Sequence, residues 1–75
     1  MEKYELIKAA KRIGETNTQP ESMLAEASEF LRVYAGENSS FYKQVKEVQQ
    51  QWNDVAILRY VKAALNAFIS FLKMV

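Results

Sequence analysis

The chain contains no cysteine and no histidine. Disulfide staples are therefore excluded, and so are thiolate or imidazole metal sites and the triads built on those side chains. Glycine occurs twice and proline once, too few for a turn-rich β fold. Because the two glycines are isolated, there is no glycine-rich phosphate loop either. An excess of one charge is also missing. Ten basic residues stand against nine acidic ones, a net charge of +1, so no overall field favours nucleic acid or an anionic membrane. The opening MEKYELIKAAKR places charges where a secretory signal would need its apolar segment. A cytoplasmic module is expected, consistent with the lack of cysteine.

What the chain does have is apolar content: 49% of its 75 residues are hydrophobic. That length allows one domain, spanning 1–75, which would bury about 60% of the surface it exposes when unfolded. With no disulfide and no cysteine or histidine to hold a metal, stability must come from helix packing or from association.

Hydrophobic periodicity predicts an all-α fold, a small four-helix bundle with helices at about 2–14, 20–35, 39–52 and 54–74. In the first, Leu6, Ile7, Ala10 and Ile13 share a face, and Gly14 stands where a helix stop belongs. Pro20 suits the first turn of the second helix, capped by Thr18 or by Gln19. Its stripe of Met23, Leu24, Ala27, Phe30, Leu31 and Tyr34 ends before Gly36. In the third, Phe41, Val45, Val48 and Trp52 recur at helical spacing after the cap candidates Asn38, Ser39 and Ser40. Asn53–Asp54 predicts a break, both being good caps and poor interior residues. The alternative is a continuous rod from Ser40 onward, about 54 Å long at ~1.5 Å per residue.

The fourth helix carries a narrow polar stripe of Arg59, Lys62, Asn66, Ser70 and Lys73, with apolar residues elsewhere. Arg59 and Lys62 lie inside the segment and the uncharged run is only Ala63 to Leu72, which argues against a membrane span. Three short helices would struggle to cover so wide an apolar face. Surface is therefore expected to remain for a protein partner, with Tyr60, Leu65, Phe68, Phe71, Leu72 and Val75 as contact residues. The partner would be a second copy, giving a homodimer, or chain following Val75. In the latter case residues 1–75 would be an N-terminal accessory domain docking on an effector or catalytic domain.

Catalytic constellations are lacking, and neither enzyme activity nor a cofactor is expected. Glu26 and Glu29 share a helix face, but Arg32 follows Glu29 at ion-pair spacing. Ser39 and Ser40 have no candidate base nearby. A short glycine-containing turn between the second and third helices gives a helix-turn-helix-like nucleic-acid binder as a further alternative. Glu37 after the glycine, Arg32 before it and a balanced exposed face speak against that reading. Tyr4, Tyr34, Tyr42, Tyr60 and Trp52 suit core edges or interface anchors. The stretch FLRVYAGENSSFY resembles in composition short helical domains that precede effector domains in bacteria. It contains no functional motif, and no site residue is taken from it.

Overall fold

The computed structural model describes residues 2–75. Its four helices are α1 (Lys3–Thr16), α2 (Pro20–Tyr34), α3 (Ser40–Lys46) and α4 (Asp54–Met74). α1 and α4 are antiparallel, tied at one end where Lys3 Nζ donates to the Val75 main-chain oxygen at 2.5 Å. α2 runs back beside α1 and parallel to α4. α3 and the turns after it form the third leg of the bundle. α2 and α4 each pack on all the other helices, whereas α1 and α3 do not meet.

Local chemistry explains most boundaries. Asn53 Oδ1 accepts the Ala56 N–H at 2.8 Å and starts α4, so the break falls where two capping residues adjoin. Ser39 Oγ accepts the Tyr42 N–H at 3.2 Å and donates to the Gly36 carbonyl at 2.8 Å, fastening α3 to the preceding turn. Gln19 is the cap residue of α2, without a side-chain hydrogen bond, and Thr18 takes no part. At the end of α2 the Ala35 and Gly36 amides both donate to the Leu31 carbonyl at 2.9 Å. Gly36 then turns the chain with φ 101°, a region open to glycine and strained for other residues.

Two expected boundaries are corrected. Gly14 does not stop α1, which continues to Thr16. Side chains fold back on its last turn: Thr16 Oγ1 donates to Arg12 O at 2.7 Å, and Asn17 Nδ2 meets the otherwise orphaned Ile13 O at 2.9 Å. α3 stops at Lys46 rather than 52. A helix reaching Trp52 would leave only Asn53 to redirect the chain into α4. Turns over 47–52 make that change of direction, closed by the Val48 amide on Val45 O (3.3 Å) and the Trp52 amide on Gln49 O (3.1 Å). Val48 and Trp52 remain half-buried against the core, which is why their spacing reads as helical.

One core joins all four helices, and α4 supplies nearly half of it, including Val61, Leu65, Phe68 and Leu72. The longest dimension is 35 Å and the Cα radius of gyration 11.4 Å, against ~11 Å expected for a compact chain of this length. A rod is ruled out. The accessible surface is 5039 Å², only a few per cent above the ~4,700 Å² typical of a monomer of this mass. Most of the face expected to overflow is thus covered within one protomer. Ala63 and Ala67 account for much of the difference: both are exposed beside the polar stripe, so the solvent face is wider than its polar residues suggest.

The glycines should respond in opposite directions. A Cβ on Gly14 would meet Leu65 Cδ1 and Lys62 Cγ at an ordinary 3.8 Å, so Gly14→Ala should stabilise by about 0.5–1 kcal/mol. Gly36→Ala should destabilise by roughly 1 kcal/mol. Thermal melts should show shifts of about 4–8 °C per kcal/mol, upward for the first and downward for the second.

Candidate functional site

The carboxyl-terminal half of α4 organises a chain of aromatic rings. Phe68 meets Phe30 edge-on at 5.9 Å and Phe41 at 5.3 Å. Phe30 continues to Tyr34 at 5.1 Å and Phe41 to Phe71 at 5.7 Å. The rings therefore run from the buried centre outward to the end of the bundle where α2 and α4 finish and α1 begins.

Of the expected contact residues, Leu65, Phe68 and Leu72 are corrected to core, with exposures of 1%, 2% and 8%. They face α1, α2 and α3 and are closed to a partner. Tyr60 is half-buried: its ring lies edge-on to Trp52 at 5.2 Å and its hydroxyl donates to Glu47 Oε1 at 3.1 Å. It anchors the third leg. Desolvation, then the Glu47 hydrogen bond and charge, hold its phenol above the usual range.

Phe71 (47%) and Val75 (66%) do reach solvent, and Met74 (84%), Tyr4 and Tyr34 join them. Among the described residues every large apolar side chain left exposed, Val33 included, lies toward this end, except Val55 at the start of α4. The opposite end is polar, built from Glu15, Thr16, Asn17, Gln19, Glu21 and the glutamines 49–51. Met74 could have been found from sequence, since it follows Ser70 and Phe71 at helical spacing. Tyr34 needed the packing because it reads as the last member of the α2 stripe, and Tyr4 because its ring suits a core edge as well as an interface anchor.

Charge is unevenly distributed as well, with seven cations on α1 and α4 against Glu5, Glu15 and Asp54. Every basic residue except Arg32, Lys43 and Lys46 lies on α1 or α4, whereas α2 and its following turn carry Glu21, Glu26, Glu29 and Glu37 against Arg32 alone. Arg32 binds Glu29 through two nitrogens, at 2.6 and 3.2 Å, and lies 4.0 Å from Glu37. The Arg32 hydrogen bonds, reinforced by its charge, hold the Glu29 carboxyl below its usual range. Glu26 accepts from Asn17 Nδ2 at 3.3 Å. These carboxylates belong to a solvated face. Among the described residues no other ion pair forms, no polar or charged side chain is buried, and no three carboxylates gather to hold a metal. α4 is long and apolar enough by composition to cross a membrane; here Ile57, Val61, Ala64, Leu65, Phe68, Ile69 and Leu72 lie in the bundle core.

Adjacent positions on α4 should therefore differ sharply. Phe68→Ala should cost about 3–5 kcal/mol as a fully buried aromatic, a large share of the ~4–11 kcal/mol expected for a domain this size. Phe71→Ala should stay within ~1 kcal/mol. Urea midpoints for the two variants test this ordering, and equal losses would refute it. No protein family matches this chain, and no curated protein or solved structure matches it.

Proposed function

We propose that the chain is a protein–protein interaction module that self-associates through the apolar end of its bundle. The observation that carries this reading is the gathering of Phe71, Met74, Val75, Tyr4 and Tyr34 at one end of an otherwise polar surface. Scattered exposed apolar side chains need no explanation, whereas a cluster backed by a rigid aromatic core does. Phe71 is held by Phe41, and Tyr34 by Phe30, so little side-chain freedom would be lost on docking. A two-fold arrangement of the same end on both copies closes the assembly as a dimer.

The patch is small, and the interface would fall at the low end of the size range, below ~1,200 Å² in total. The resulting affinity is micromolar or weaker. A helix-turn-helix function has less support, because α3 is short and its Val45 is buried while Phe41 and Tyr42 pack on the core.

Sedimentation equilibrium between about 10 μM and 1 mM should show a monomer–dimer transition. The double variant Phe71→Ser/Met74→Ser should shift it at least about tenfold toward monomer, with little change in melting temperature. A wild-type chain that stays monomeric at the highest concentration overturns the proposal.

A further inference from the structure

The exposed face shared by α1 and α4 is a second surface, which adjoins the apolar end where α1 begins and α4 finishes. The two helices run antiparallel, with Lys3 beside Val75 at one end and Gly14 beside Lys62 and Leu65 toward the other. Between them lies an open groove of about 530 Å³, bordered by Lys11 and Glu15 on α1 and by Lys62 and Asn66 on α4, with Ala10, Gly14 and Leu65 as its floor. Helical spacing continues both borders. Lys8 lies one turn from Lys11, Arg59 one turn from Lys62, and Lys73 three turns beyond it. All five cations are exposed, and among the described residues none is within ion-pair distance of a carboxylate. Glu15 is the one carboxylate in the groove lining, and Glu5 lies one turn before Lys8.

We infer that this groove binds the phosphodiester backbone of a nucleic acid strand without reading its bases. A protein partner would need apolar anchors at the centre of the contact, and a lipid surface would need apolar side chains to insert. The groove lining offers neither, and the exposed Tyr4, Met74 and Val75 lie beyond its end. It supplies two rows of flexible cations and the Asn66 amide, which suit a regular line of phosphates. From Arg59 to Lys73 the α4 row extends about 21 Å at ~1.5 Å per residue, room for several consecutive phosphates. The molecule's near-neutral net charge conceals this surface, because Glu21, Glu26 and Glu29 lie on α2 and Glu37 and Glu47 in the turns, while α1 and α4 carry more cations than carboxylates.

The test is fluorescence anisotropy of the whole chain with a labelled single-stranded DNA of mixed sequence, about 20 nucleotides long. With three or four phosphates neutralised, affinity should fall roughly 20- to 50-fold between 50 and 200 mM salt. Lys11→Glu and Lys62→Glu should each weaken binding at least about fivefold and flatten the salt dependence. Lys43→Glu, the same charge change on α3, should leave affinity within about twofold, and Phe71→Ser/Met74→Ser should not affect it. Circular dichroism will show whether the exposed variants keep their helices; Lys11→Gln and Lys62→Gln, with smaller losses in the same order, provide a second reading. Absence of salt-dependent binding overturns the inference, as does equal weakening by Lys43→Glu. Capture by anionic vesicles or polyglutamate, with no binding of DNA, also overturns it.

Discussion

A helix of 21 residues, apolar over most of its circumference, has to be enclosed by three shorter segments. That constraint governs the rest of the molecule. α1 and α2 form a hairpin along two sides of α4, and the third side falls to a leg that is helical for only its first seven residues. The leg is held by side chains more than by main-chain regularity: Val45 buried, Phe41 against Phe68, Trp52 against Tyr60, and the Tyr60 hydroxyl on Glu47. The covering is nearly complete along the shaft and thins where α2 and α4 run out. There the aromatic chain reaches water. The candidate interface is thus what remains after a small domain has buried nearly all it can.

The sequence was most readable where local chemistry and tertiary packing agree. α2 follows from Pro20, its apolar stripe and Gly36, and the start of α4 follows from Asn53. It misled where a local signal had two meanings. Gly14 has the look of a terminator, yet the helix continues past it and Asn17 closes on the Ile13 carbonyl. Val48 and Trp52 keep helical spacing while sitting in turns, because half-burial against α4 needs only that they point inward. On α4 the alanines counted as apolar, although a methyl group gives little reason to avoid water. The candidate contact set was correspondingly too deep: Leu65, Phe68 and Leu72 are core, and Met74, Tyr4 and Tyr34 complete the exposed end in their place.

Charge shows the same limit from another direction. Net charge is a sum, and composition cannot say how its members are arranged. Neither α1 nor α4 would mark a binding surface alone. Packed antiparallel, they place Lys8, Lys11, Arg59, Lys62 and Lys73 about one groove, while five of the nine carboxylates lie on α2 and in the turns. Such an uneven arrangement carries almost no monopole, and long-range attraction to a polyanion would be weak until the groove is close.

The lone tryptophan belongs to the least regular part of the fold. Trp52 sits in the turns of the third leg, its ring edge-on to Tyr60, while the helical hairpin and the Phe30–Phe68 contact lie elsewhere. Intrinsic emission from this chain therefore reports the docking of one strap, whereas ellipticity reports the three longer helices. Wherever the strap loosens first, the two optical signals will part company, and the gap between them measures how strongly that leg is coupled to the remainder of the bundle.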